Sequence, residues 1–219
     1  MRAAAFLVSA MVSVAALPAP ARAADLFFHQ GFETCWSSAV GKAQFLELMR
    51  ASIDGTSACI PPQSGSQSGI GYTVCSNANG CGVGVAGCPV AVQAGAFAGD
   101  FGGGHFLGPG TASNIVVPIT TTALGSCNLN LTGITLSYTL DYLMQTDGVD
   151  GVYSSDMLAP AVAIIAYDTN NNCNPVLAGL ISSFVPQAIG QAEVATAAAI
   201  GPDLRADTLE RSICPLSVP

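Results

Sequence analysis

Positive charge is nearly absent from this chain. Of 219 residues only six are Lys or Arg, against 14 Asp or Glu, and Lys42 is the one lysine. A nucleic-acid partner needs a basic patch to displace phosphate counterions, and none exists here. A polybasic membrane anchor is excluded on the same ground. Histidine is scarce too, with only His29 and His105, and no two cysteines have the C-x-x-C spacing. Zinc sites draw on those ligands at close spacing, which argues against one. No Gly-x-Ser-x-Gly elbow is present: Gly65-Ser66-Gln67-Ser68-Gly69 puts Gln where the nucleophile would stand, leaving a Ser-His-Asp triad without support. The glycine-rich run Gly99–Gly110 lacks the lysine a phosphate loop requires, since no Lys follows Lys42. It is expected to be a flexible loop or strand connection. Asp100-Phe101-Gly102 matches a kinase triplet by chance, because the rest of that set is missing.

What the chain does have begins with an apolar run from Ala3 to Leu17 behind Arg2. Pro18-Ala19-Pro20 and the small-x-small site Ala21-Arg22-Ala23 follow. These are the n-, h- and c-regions of a secretory signal peptide, expected over residues 1–23, with a single exported domain over 24–219. The run is too short for a spanning helix, so no integral membrane segment is expected. Arg2 and Arg22 would leave with the signal, and the remainder would carry 4 basic and 14 acidic residues, net −10. All eight cysteines (Cys35, Cys59, Cys75, Cys81, Cys88, Cys127, Cys173 and Cys214) lie beyond the signal. An even count in an exported chain reads as disulfides, but eight cysteines allow 105 pairings. The stretch Phe28-His29-Gln30-Gly31-Phe32-Glu33 resembles a short element near the mature ends of exported bacterial proteins. It implies a bacterial envelope setting: periplasm, cell surface or extracellular space.

Element signals are clearest in the second half. Ile134, Leu136, Tyr138, Leu140, Tyr142 and Met144 alternate with mostly polar neighbours, the period of a half-buried strand. Leu129 and Leu131 alternate in the opposite phase, and Gly133 at the switch suggests a bulge that bends the strand. Thr146–Gly151 reads as a hairpin turn, with Val152–Asp156 and Ala161–Tyr167 as the return. Asn174-Pro175 is a strong helix start, and Leu177, Leu180, Ile181, Phe184, Ala188 and Ile189 then line one face. This helix is expected to run to Ala199, to kink at Pro186 and to stop at Gly201-Pro202. At 1.5 Å per residue it would span about 37 Å, close to the length of the strand it could lie along. A first helix is expected from Ser38 to Ser52, a loop over Pro61–Gly69, and cystine-stapled hairpins or irregular strands over Ile70–Val92.

Oxygen-bearing clusters come next. Asp141, Asp147, Asp150 and Asp156 gather near the turn, where aspartates serve local backbone bonding. A carboxylate pair there would be the route to a hydrolase, ranked last. Asp168–Asn172 has alternating oxygen ligands, yet Cys173 and Gly179 stand where a calcium loop needs Gly and Glu. No metal or cofactor is expected.

The order strand, turn, strand, Cys173, long amphipathic helix, Cys214 resembles the tubular lipid-binding superfamily, which includes bactericidal/permeability-increasing and lipopolysaccharide-binding proteins. That resemblance implies an α+β fold in which a long curved antiparallel sheet packs with a long C-terminal helix around an apolar groove. It also implies a disulfide tying the strand before the helix to the helix end, here Cys173–Cys214. Cys35–Cys59 is expected beside it, with the other four cysteines paired among themselves. The basic tip of some members is missing. The expected function is non-enzymatic binding of a lipid or other apolar small molecule, with Leu136, Tyr138, Leu140, Tyr142, Leu180, Phe184 and Ile189 lining the groove. The alternative is a cell-surface structural or adhesive module with a filled core.

Overall fold

The computed structural model describes residues 39–67, 69–146 and 152–210. The expected signal, the Phe28–Glu33 element, Cys35, Cys214, Asp147 and Asp150 lie outside the described residues. The chain is α+β. The first element among the described residues is helix α1 (Ala39–Ile53). Then come β1 (Ser57–Ile60), β2 (Gln63–Gln67), β3 (Ile70–Val74), β4 (Cys88–Ala94) and β5 (Ala98–Asp100). These are followed by β6 (His105–Ala112), β7 (Ile115–Thr121), β8 (Gly125–Thr146), β9 (Val152–Met157) and β10 (Ala161–Asn171). Helix α2 (Pro175–Arg205) closes the order and continues as a wider π turn, Ala206–Glu210.

All pairing is antiparallel, in one ten-stranded sheet built on β8. On one side β6 and β7 share a single register with β8, from His105 opposite Asp141 to Thr121 opposite Gly125. They form one long hairpin arm, interrupted only at Ser113–Asn114. On the other side β9 and β10 pair with β8 in succession. Beyond the arm the sheet forks. β4 and then β1 follow β6, whereas β3 and then β2 follow β7.

The alternation in β8 reverses as its pattern demands. Cys127, Leu129 and Leu131 are buried in its first half, and Ile134, Leu136, Tyr138, Leu140 and Tyr142 in its second. Gly133 sits between them at φ +60°, a left-handed conformation that favours glycine. The β10 register against β8 shifts just beside it, so the bulge keeps both halves facing one core.

Helix α2 starts on Asn174, whose Oδ1 accepts from the Leu177 amide at 2.9 Å, with Pro175 at the first turn. Its backbone approaches chiefly β1 and β10, strands at opposite edges of the sheet, rather than central β8. A helix is 10–12 Å across with its side chains, so over a flat sheet it would stand off every strand equally. Close approach at both edges means that the sheet curls around it. The central space is filled by β8 side chains, so helix and strand do not lie backbone to backbone. The helix also runs through Gly201-Pro202 to Arg205. Ile200 and Leu204 are completely buried there, and that burial outweighs the missing proline amide.

Two segments read as loops are strands. Pro61–Gly69 contains β2, paired with β3 in a hairpin that Gly69 turns at φ +79°. Gly99–Gly110 contains most of β6. Its glycines provide room rather than flexibility: a Cβ on Gly108 would strike the Phe97 ring, and one on Gly110 the Tyr138 ring.

The disulfide pairing corrects the expectation. Cys173 bonds Cys127, not Cys214, and Cys59 bonds Cys81, not Cys35. Cys75–Cys88 is the third bridge among the described residues. The cause is topological. Cys127 begins the inner face of β8, and Cys173 returns beside it as β10 ends, at a Cα separation of 4.9 Å. This bridge fixes the N-terminal end of α2 to the central strand. The other two bridges hold the fork, joining β3 to β4 and β1 to the 76–87 loop.

Closing the 46-residue span between Cys127 and Cys173 contributes about 4 kcal/mol in the chain-entropy model. The Cys127→Ser/Cys173→Ser variant should lose up to that amount in denaturant unfolding. Amide exchange over residues 175–185 should speed up before exchange in β8 does. Unchanged protection there would contradict the anchoring role.

Candidate functional site

The interior between α2 and the sheet divides into two ends. At one end α1 is clamped by aromatic rings. Phe45 lies 5.6 Å from Phe106 and 5.4 Å from Tyr142, with Phe101 5.0 Å from Phe106 and the Lys42 ammonium over the Phe101 ring. The Tyr142 hydroxyl donates to Thr208 Oγ1 at 3.0 Å, and Thr208 in turn donates to the Leu204 carbonyl. Burial pushes the Tyr142 phenol above its ordinary pKa, partly opposed by that hydrogen bond. The described side chains at this end pack ring against ring.

At the other end α2 passes over β3, β7 and the first half of β8. Phe184 and Ala188 of the helix face Tyr72 and Val74, Val117 and Ile119, and Leu129 across a narrow seam. The Tyr72 and Phe184 rings touch, 4.4 Å between centroids. Polar groups among its described lining are the Tyr72 hydroxyl and the carboxamides of Gln63 and Gln187, which meet at an exposed rim where Gln187 Nε2 donates to Gln63 Oε1 at 3.1 Å. The cavity is about 20 Å³, room for one water-sized molecule. Its outer wall is thin. Among the described residues β2 pairs with β3 alone, and β3 holds β7 through three residue pairs, Tyr72 to Val74, with flanking backbone bonds from Cys75 to Pro118 and from Thr122 to Gly71.

Of the residues expected to line a groove, Phe184 borders this seam, and Ile189 is half-buried against the core beside it. Leu136, Tyr138, Leu140 and Tyr142 are fully buried in the other half of the sheet and do not border the seam. The side chain of Leu180 lies outside the described residues. The lining contributed by β3 and β7 was missed in the sequence, where Ile70–Val74 is too short to show a period and Pro118 interrupts Ile115–Thr121. Paired burial of Ile115, Val117 and Ile119 was the available signal.

Tyr138 stands apart. It is completely buried against Phe97, and its hydroxyl is the one buried side-chain polar atom without a hydrogen-bond partner among the described residues. Burial, and secondarily the Asp54 carboxylate, raise its pKa above the ordinary phenol value.

Among the described residues, Asp141 and Asp156 are each engaged by a different partner. Asp141 Oδ1 is 2.6 Å from His105 Nδ1 across the β6–β8 register, and Asp156 pairs with Arg205 at 2.7 Å. His105 has no further hydrogen-bond partner among the described residues. The oxygens of Asn170, Asn171 and Asn172 accept from the Asn130 amide group, the Cys173 amide and the Asn128 amide respectively. That part of the calcium candidate therefore serves strand pairing. No group of three or more metal-ligating side chains occurs among the described residues.

No family model and no curated protein matches the chain. Solved structures similar to the chain include the following two. A crystal structure of lipopolysaccharide binding protein matches at TM-score 0.45 and 12% identity, over 84% of this chain and 40% of that one. Takeout 1 from Epiphyas postvittana matches at TM-score 0.34 and 13% identity, over 84% of this chain and 91% of that one. The chain thus spans less than half the length of the first.

A buried hydroxyl without a partner costs stability, whereas one with a partner adds about 1 kcal/mol. Tyr138→Phe should therefore leave stability unchanged or raise it by about 1 kcal/mol, and Tyr142→Phe should lower it by about 1 kcal/mol. Denaturant unfolding of both variants tests this. A larger loss in Tyr138→Phe than in Tyr142→Phe would contradict the assignment.

Proposed function

We propose that this chain binds an apolar ligand of acyl-chain type between α2 and the β2–β3 side of the sheet, without catalysing a reaction on it. The observation that carries the reading is the apolar seam with a single amide pair across its mouth. Entry needs α2 and the β2–β3 hairpin to part. That step breaks one exposed amide hydrogen bond, worth about 1 kcal/mol, and the Tyr72–Phe184 contact, worth about 1 kcal/mol. Burying about 300 Å² of chain surface would return about 7 kcal/mol at about 25 cal/mol/Å². The balance favours a ligand that inserts an alkyl chain over one that binds by polar contacts. Separate partners for Asp141 and Asp156, and the absence of a nucleophile bonded to the His105 ring among the described residues, support a binding role. Three disulfides fit an exported protein in the periplasm, at the cell surface or outside the cell. No described helix is long and apolar enough to cross a membrane.

The second reading, a surface structural or adhesive module with a filled core, draws on the small volume of the seam. Native mass spectrometry of the oxidised protein, purified without detergent and followed by organic extraction, separates the two. Co-extracted phospholipid or fatty acid, and uptake of a fluorescent fatty acid that Ala188→Trp abolishes with the fold intact, are expected. A bare mass with no uptake, or uptake that Ala188→Trp leaves unchanged, would overturn the lipid reading and favour the surface module.

A further inference from the structure

The strands that line the seam have a second face. Val117, Ile119 and Leu129 point inward, so Val116, Pro118 and Asn128 point outward, and above them lies the 76–87 loop. Between loop and sheet is an open hollow of about 580 Å³. That is the size range of small-molecule sites. Its walls are fixed by covalent bonds: Cys75–Cys88 closes the base of the loop and Cys59–Cys81 ties its middle to β1.

The chemistry of the lining is unusual for its uniformity. Asn77, Asn79, Asn114 and Asn128 supply four carboxamides, and among the described residues no ionisable side chain borders the hollow. Asn77 and Asn79 use their Oδ1 atoms to accept loop amides, from Asn79 and Gly84 respectively, which leaves their NH2 groups as donors. The side-chain amides of Asn114 and Asn128 bond no described protein group, so each offers both donors and an acceptor. Pro89 and half-exposed Val116 add a small apolar floor.

We propose that this hollow is a binding site for a neutral sugar. An anion would find no cation here, and a metal ion would find no carboxylate. A purely apolar ligand would strip water from four amides without replacing it. A neutral saccharide matches both features. Its hydroxyls are donors and acceptors at once, as the free carboxamides are, and its C–H face covers the Val116 floor. Disulfide-held walls reduce the ordering cost of binding. The site lies on the face of the sheet opposite α2 and is independent of the apolar seam.

Saturation-transfer NMR of the full oxidised protein with glucose, galactose, N-acetylglucosamine and cellobiose at millimolar concentration is the test, read together with amide shift mapping. Saturation transfer to at least one sugar is expected, with shifts confined to residues 76–80, 114–118 and 128. Loss of two amide partners in Asn114→Ala/Asn128→Ala should weaken binding about tenfold. Val116→Glu, a change at an exposed position that leaves the core untouched, should weaken it as well, and Ala188→Trp in the seam should not. No transfer to any of the four sugars, or transfer equal in wild type and both hollow variants, would overturn the proposal. Failure of fatty-acid uptake alone would leave it standing.

Discussion

Strand β8 is bonded on both sides, and the rest of the chain is arranged by that constraint. Residues 129–131 pair at once with β7 and β10, and residues 135–139 with β6 and β10. A strand so enclosed cannot slip register without turning its buried row to solvent. Yet its two halves bury opposite parities, which a regular strand cannot do. Gly133, in a left-handed conformation that other residues adopt at a cost, allows both halves to serve one core. The β6–β7 arm breaks opposite the same point, and the fork in the sheet follows from that break.

The fork then decides what each end can do. The α1 end is locked by interleaved aromatic rings and a chain of hydroxyl bonds from Tyr142 through Thr208 to the α2 backbone. The other end has no such lock. The β2–β3 hairpin is tied at its base by Cys75–Cys88 and by backbone bonds from Cys75 to Pro118 and from Thr122 to Gly71, and otherwise held by three register pairs, one ring contact and one amide bond to α2. Motion, where the fold permits it, belongs at this end. Cys75–Cys88 braces the fork from within the core, Cys59–Cys81 ties β1 to the 76–87 loop, and Cys127–Cys173 holds the start of α2, so a parting of helix and hairpin would pivot between fixed points. The same alternation that aims Val117 and Ile119 into the seam aims Val116 and Pro118 into the amide-lined hollow, which gives one strand two faces of contrasting chemistry.

Much of the second half was legible in the sequence. Period two from Ile134 to Tyr142, the phase change at Gly133, and Asn174-Pro175 at the helix start each reflect a local rule that the tertiary structure obeys. The misreadings came where long-range packing overrode a local signal. Glycines 108 and 110 looked like loop residues, yet they are strand residues thinned to admit the rings of Phe97 and Tyr138. Gly201-Pro202 looked like a stop, but Ile200 and Leu204 are drawn fully into the core. Disulfide partners depend on which strands become neighbours, and no spacing rule encodes that β10 ends beside Cys127. The candidate site was half visible: Phe184 was apparent from the helix face, but its opposing wall comes from β3 and β7, because the sheet curls and places the helix over the fork rather than along β8.

The most direct measurement is a hydrogen-exchange map of the oxidised protein with and without saturating oleate. The account predicts slowed exchange in residues 70–74 and 184–189, where hairpin and helix meet, with the aromatic end around Phe45 and Tyr142 unchanged. No change at the seam, or protection that appears only on the outer face around Asn114 and Asn128, would contradict it.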